Sequence, residues 1–354
     1  MPPIDRLELI AQLRGTVESV MTVDGYRFDG DGTIKLRGRL KVSPEAAYAP
    51  MRDAMRKIGF TPYLREAGDR HEVTAVPGVV PKAKENPQLA AALFAATVIS
   101  VVFTGSILNG AFNLLDGLMF AGTLLSILVA HEMGHYLMAK RLGVQVSLPY
   151  FIPLPAPIGL GTMGAVILQR EPFENRRSLL QIAAAGPIAG FVLAVPLFIL
   201  GVALSGIPRV VTEPLEGALG DSVMTFLIGT LRYGPAWTSP TDLIQVHPIG
   251  FGAWLGLLIT GINLMPAGQL DGGHVMYALL GERAKYVTWT VIAALVILSF
   301  VSQAWILWVA LLFFFGRTHP PPLNEAVKLK PVHFVLILVA AVVFIITFVP
   351  RPLA

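Results

Sequence analysis

Two imidazoles four residues apart, with a carboxylate beside the first, stand in His131-Glu132-Met133-Gly134-His135. On a helix, residues at that spacing share a face, so both rings can reach one ion. The adjacent glutamate can then take a proton from water held by that ion, which is the chemistry of metal-assisted hydrolysis. The flanking residues, Leu128-Val-Ala on one side and Tyr136-Leu on the other, belong in lipid. Polar side chains at that depth are expensive and are seldom kept without a role. Two histidines merely satisfied by neighbouring helices would leave three polar side chains unexplained in one apolar helix. His131 precedes Lys140 by nine residues, about 13 Å of helix. Against a hydrocarbon core roughly 30 Å thick, the ion would lie inside the membrane, nearer the side that holds Lys140.

A catalytic zinc takes three protein ligands and leaves one position open. Besides His131 and His135, the candidates for a third ligand at plausible depth are Asp116, His247, Asp271 and His274. Asp116 and His247 read as span-end residues. Asp271 lies in Asn263-Leu-Met-Pro-Ala-Gly-Gln-Leu-Asp-Gly-Gly-His274, directly after an apolar segment. Pro266, Gly268, Gly272 and Gly273 would break that helix, and a break is tolerated in the membrane where it lines an enclosed wet cavity. An acid delivered by such a break suits a buried metal, with His274 as the runner-up ligand.

The elements that must position these residues follow from composition. Of 354 residues, 54% are hydrophobic and only 14% charged, the balance of an integral membrane protein. The net charge of +4 does not indicate a nucleic-acid partner, because the basic residues sit at the ends of apolar segments. The absence of cysteine removes disulfides, thiolate ligands and a cysteine nucleophile. Apolar segments near 88–110, 117–139, 178–204, 249–266, 285–302 and 332–350, with a shorter one at 304–316, predict about six to seven spans. A possible interfacial helix lies at 222–233.

Residues 1–85 differ in composition. Leu7, Ile10, Leu13, Val17 and Val20 recur at helical spacing, and residues 33–42 alternate as in a half-exposed strand. Ser43-Pro44 opens a helix running to Lys57, and short strands are expected near 60–65 and 71–76. The predicted fold is thus a polytopic α-helical membrane protein. It carries a small N-terminal soluble α/β domain, residues 1–85, ahead of a transmembrane domain with the metal-ligand motif, residues 86–354, which holds a short membrane-associated β insertion. With the N-terminal domain in the cytosol, Lys82, Lys84, Lys140, Arg141, Arg170, Arg176, Arg177, Arg283, Lys285, Arg317, Lys328 and Lys330 fall on one side, as the positive-inside rule requires. The acidic N-terminus lacks an early apolar run and resembles neither secretory signal nor transit peptide. The expectation is therefore a prokaryotic plasma (inner) membrane, with the C-terminus outside.

Together, His131-Glu132-x-x-His135 and Asn263-x-x-Pro266-x-x-x-x-Asp271-Gly272 resemble the site-2 protease family of intramembrane zinc metalloproteases. Gly186-Pro-Ile-Ala-Gly190 resembles that family's small-residue motif. Residues 146–153 and 160–166 resemble the branch without a PDZ domain, which includes the chloroplast ethylene-dependent gravitropism-deficient and yellow-green proteases and bacterial relatives. The resemblance implies one Zn2+ on His131, His135 and Asp271, with Glu132 as general base and Asn263 stabilising an oxyanion or positioning substrate. It implies transmembrane protein substrates cut within or next to their membrane segments.

Gly159-Leu-Gly-Thr-Met-Gly164 spells a dinucleotide-binding fingerprint, but prolines precede it and strand-like residues follow it, where that motif needs a strand and then a helix. It fits a sheet-like insertion whose edge at 163–168 could hold an unwound substrate by strand addition, or a hairpin that plugs the site. Gly186-x-x-x-Gly190 has helix packing as its default reading. The readings from other classes are a transporter or ion-handling protein, which needs no Glu132 in particular, and a catalytically silent scaffold.

Overall fold

The computed structural model describes residues 6–29, 31–79, 86–108, 110–157, 159–168, 172–207, 209–210, 219–239, 242–316 and 319–352. The chain forms two compact units, one of Met1–Ala83, Arg170–Leu179 and Pro320–Lys330, the other of Lys84–Gln169, Leu180–His319 and Pro331–Ala354. The expected boundary at residues 85/86 falls beside 80–85, which lie outside the described residues, as do Lys82, Lys84, Arg170 and Arg317.

In the first unit, α1 (Arg6–Val17), β1 (Met21–Phe28), β2 (Ile34–Leu40), α2 (Pro44–Lys57), β3 (Phe60–Ala67) and β4 (Arg70–Pro77) follow in order. The sheet is antiparallel with strand order β1-β2-β4-β3. Ser43 caps α2 by accepting from the Ala46 N–H, with Pro44 in the first turn, where no intrahelical donor is lost. One face of α2 buries Ala47, Tyr48, Met51 and Met55 on the sheet. The Tyr48 hydroxyl donates to the Pro62 carbonyl at 2.9 Å, and burial pushes its pKa well above the ordinary phenol range.

This unit is not sequence-continuous. Leu64 of β3 donates its N–H to the Leu323 carbonyl at 2.7 Å and accepts from the Glu325 N–H at 2.9 Å, so residues 323–325 cover the strand's outer edge. Leu323 and Ala326 are buried in the same core. The Asn324 side chain, 1% exposed, donates to the Pro44 carbonyl at 2.9 Å. Leu323 and Asn324 in turn donate to the Phe173 and Glu174 carbonyls at 2.8 and 2.7 Å. Covering an edge in this way removes a row of unpaired backbone groups that would otherwise template aggregation.

The second unit is helical. Among the described residues, three of its helices are long and apolar enough to cross a membrane: α3 (Pro87–Ile107), α4 (Leu114–Arg141) and α5 (Arg176–Leu204). Between α4 and α5 lies a hairpin of β5 (Tyr150–Leu154) and β6 (Gly161–Val166). It docks on α3, where Ser100 Oγ donates to the Gly161 carbonyl at 2.7 Å and Thr104 Oγ1 accepts from the Ala156 N–H at 3.1 Å. Strand β6 occupies the last four residues of the G-x-G-x-x-G stretch, the opposite of a phosphate-binding loop and its helix. Then come α6 (Val223–Tyr233), α7 (Pro248–Asn263), α8 (Asp271–Leu280), α9 (Ala284–Ser299), α10 (Ala304–Phe315) and α11 (Pro331–Thr347). The apolar segment expected at 249–266 ends as a helix at Asn263, and Gly268, at φ +60°, turns the chain into α8.

Small residues let α7 approach α4 closely. A Cβ on Gly252 would lie 2.9 Å from the Phe120 carbonyl, and one on Gly256 would lie 2.8 Å from Ile127. On its other side, a Cβ on Gly201 of α5 would fall 2.1 Å from Gly250. Helix α7 is thus wedged against α4 and α5, which brings its last residue, Asn263, to the middle of α4.

Candidate metal centre

Helix α4 runs without proline from Leu114 to Arg141, so its histidines stay in register four residues apart. His131 is 2% and Glu132 8% exposed, and the rings of His131 and His135 lie 5.0 Å apart, centroid to centroid. Asp271, the first residue of α8, meets both rings. Its Oδ2 lies 3.2 Å from His131 Nε2 and 3.3 Å from His135 Nε2. These are the separations a zinc ion needs, since two bonds of roughly 2.1 Å at a tetrahedral angle hold their donor atoms about 3.4 Å apart. Among the described residues, one donor atom each from His131, His135 and Asp271 lie within 4.8 Å of one another.

The tautomer of His135 follows from its partner. Its Nδ1 lies 2.7 Å from the Ile182 carbonyl of α5, and a carbonyl can only accept. Nδ1 therefore carries the hydrogen, and Nε2 is left with its lone pair toward the cluster, as a metal-binding histidine requires. The close approach of α5 depends on glycine. A Cβ on Gly134 would fall 2.5 Å from the Ala185 carbonyl, and one on Gly186 only 2.2 Å from His135 Nε2. At Gly190 the clearance is larger, 3.3 Å to His131.

The other sequence-predicted residues sort cleanly. Asn263 joins the cluster, its Nδ2 being 3.4 Å from His131 Nε2. Glu132, next to His131, makes no hydrogen bond or ion pair among the described residues, so its carboxylate is not committed to a structural partner. Asp116 sits in the first turn of α4, about 22 Å along the axis from His131, and cannot share its ion. His247 caps α7 at the end remote from Asn263, its side chain accepting from the Ile249 N–H. His274 lies one turn beyond Asp271 and pairs with His319 instead, Nδ1 to Nε2 at 2.6 Å. Sequence reasoning missed the Ile182 carbonyl and the wedge glycines of α7. Gly252 and Gly256, four residues apart, share one side of a helix, and that spacing was the available signal.

The model of peptidase family M50 matches residues 119–302, more than half of the 354-residue chain. The chain belongs to that family. The matched region contains the five residues His131, Glu132, His135, Asn263 and Asp271. Among curated relatives, the "probable zinc metalloprotease EGY2, chloroplastic" of Arabidopsis thaliana is 31% identical over 84% of this chain and 56% of its own length. Its counterpart in Oryza sativa subsp. indica is 30% identical over 91% of this chain and 62% of its length. The EGY1 protein of Arabidopsis thaliana is 30% identical over 64% of this chain and 41% of its length. The chain thus spans about 56–62% of the length of these two EGY2 relatives. The expectation of a prokaryotic plasma membrane is corrected by these relatives, which are plant proteins described as chloroplastic. That expectation rested on the missing transit peptide, and a chain covering part of its relatives' length cannot carry it.

Proposed function

We propose that this chain is an intramembrane zinc endopeptidase, hydrolysing peptide bonds within or next to the transmembrane segments of membrane-protein substrates. The observation that carries the reading is the convergence of His131, His135 and Asp271 within 4.8 Å, with the uncommitted Glu132 beside them. We assign His131, His135 and Asp271 as the ligands of one Zn2+. Zinc bound there supplies a Lewis acid that polarises a carbonyl and acidifies water. Glu132 accepts the proton from the attacking water and delivers it to the leaving nitrogen. Asn263, whose amide nitrogen reaches the cluster, donates toward the negative charge that develops on the scissile carbonyl oxygen. Ile182 holds the ring of His135 so that no reorientation accompanies the reaction.

The peptide bonds of a substrate helix are hydrogen-bonded and shielded, so the helix must unwind before water can attack. The β5–β6 hairpin supports a route. Among the described residues, β6 pairs on one side only, with β5, and Met163 at its centre is 65% exposed. An extended substrate segment adds to that free edge.

Six to seven spans are proposed: α3, α4, α5, α7, α9 and α11, with α10 as the seventh. Helices of 16–17 residues, such as α7, α9 and α11, reach about 25 Å, and their flanking residues complete the crossing. We propose residues 1–85 as the domain ahead of the membrane protease domain at 86–354, from which residues 170–179 and 320–330 are drawn to complete the first unit. The relatives support a chloroplast membrane as the site of action. A transporter makes no use of a base beside a complete ligand set, and membership in a peptidase family does not favour one.

The test is proteolysis of a purified single-span substrate by purified protein in bilayer discs. Cleavage should stop on adding a zinc chelator and resume on restoring zinc. Glu132→Gln should abolish cleavage while keeping the metal, and cleavage that survives this substitution sinks the mechanism.

A further inference from the structure

Asp271 is held in an unusual way. It is the first residue of a helix of only 10 residues, and the preceding Leu270 offers no side-chain cap. The seven residues before it form a broken turn, so neither the helix start nor a continuous helix fixes the carboxylate. Gly272 and Gly273 pack the start of α8 on the Leu264 and Gly268 carbonyls, and contacts on α8 from outside add to that hold.

Two contacts from residues that follow α10, Gly316 and His319, bracket this position. Before Asp271, Gly268 faces Gly316, where a Cβ on Gly268 would lie 2.8 Å from the Gly316 Cα. After it, His319 engages two successive turns of α8. His319 Nε2 is 2.6 Å from His274 Nδ1, and its ring stacks on Tyr277, with centroids 4.2 Å apart and planes 16° from parallel. His274 is three residues from Asp271 and on the same helix face, so the hydrogen bond acts one turn from the carboxylate. His319 is itself constrained, because Pro320-Pro321-Pro322 follow it. A proline run is stiff, and it holds the residue before it out of the helical region. A packing role alone would be met by two apolar rings, whereas a histidine pair specifies direction.

We propose that His319 is the positioning residue for Asp271: by its hydrogen bond to His274 and its stacking on Tyr277 it sets the orientation of the start of α8, from which Asp271 reaches His131 and His135. This inference rests on the reading of His131, His135 and Asp271 as a zinc site.

The experiment measures Zn2+ affinity of the full chain in bilayer discs by competition with a chromophoric chelator, and the visible spectrum of the Co2+-loaded protein. His319→Leu should weaken zinc binding ~10–100-fold, the range for residues that orient metal ligands, and should shift the cobalt bands. His319→Gln, whose amide nitrogen matches the place of Nε2, should restore both. A merely structural role would lower thermal stability and leave the cobalt spectrum unchanged. If His319→Leu does not fold, His319→Asn, one bond too short to reach His274, carries the same expectation. Wild-type affinity and spectrum in His319→Leu, alongside weakened binding in Asp271→Asn, overturn the inference. So does a glutamine variant as weak as the leucine variant. An Asp271→Asn protein that binds zinc as tightly as wild type overturns the zinc-site reading, and this inference with it.

Discussion

Replacing Gly186 by alanine adds a single methyl group and is expected to disable the metal centre. The new Cβ would lie 2.2 Å from His135 Nε2, 2.4 Å from its Cδ2 and 2.5 Å from its Cε1. Carbon and nitrogen not bonded to each other rest about 3.5 Å apart, so the overlap exceeds 1 Å at the atom assigned as a ligand. Three ways of relieving it are blocked or costly. The ring cannot slide back, because its Nδ1 is bonded to Ile182 on the same helix at 2.7 Å. Helix α5 cannot retreat without opening the contact in which Gly134 meets Ala185 and Gly186. Rotating the ring away keeps the helices together but takes Nε2 out of the cluster and leaves the Ile182 carbonyl without its donor. Overpacking of this kind costs ~1–3 kcal/mol of stability. The larger effect falls on the metal, for which we expect at least a ~10–100-fold loss of zinc affinity and loss of proteolysis. Chelator competition and cobalt spectra in bilayer discs read this directly, with helix content as the folding control. Gly190→Ala is the matched comparison. Its Cβ would sit 3.3 Å from His131, a contact that a shift of tenths of an ångström relieves, so it should bind zinc nearly as the parent does. A Gly186→Ala protein with parental affinity and parental cleavage would refute the argument that α5 packing holds His135.

Further expectations are independent of that contact. Glu132→Gln should keep zinc bound and lose ~100–10,000-fold or more in cleavage rate, the share supplied by a positioned base; equal loss of zinc would point to a structural role instead. Asp271→Ala should weaken zinc binding at least as much as Gly186→Ala does, read by the same competition assay. Ser100→Val removes the donor to the Gly161 carbonyl and should destabilise the hairpin by about 1–3 kcal/mol, seen as faster amide exchange over residues 150–166. Asn324→Leu should cost ~0.5–1.5 kcal/mol by removing the side-chain donor to the Pro44 carbonyl, and limited proteolysis should then cut more readily within residues 6–79.

The histidine and glutamate positions were legible because the whole signal lies on one uninterrupted helix, where spacing alone fixes geometry. Asp271 was legible for a different reason: Pro266 and three glycines announce a break, and a break beside an acid in an apolar segment needs a purpose. Gly186 was visible as a small residue but not as the residue beneath His135, since that depends on how α4 and α5 cross. Strand β1 was missed altogether. Asp24-Gly25 sits at a shift in its pairing with β2, which spoils the alternation that marks a strand. Nothing local in residues 320–330 predicts that they complete a sheet begun at residue 21. Backbone bonds over such distances follow from the folded path and leave no periodic trace.

The three-part construction of the first unit also sets an order on biosynthesis. Residues 6–79 emerge first and contain the entire sheet, yet the cover for the edge of β3 and part of the core arrive only with Leu323, Asn324 and Ala326. At ordinary elongation rates that is a delay on the order of tens of seconds. During it the hairpins already made carry an open edge in a crowded compartment. Closure of that edge therefore marks a chain whose helices α3 to α10 have all been synthesised. A nascent protein stopped short of residue 323 is left with a sticky strand that a chaperone or degradative protease can recognise.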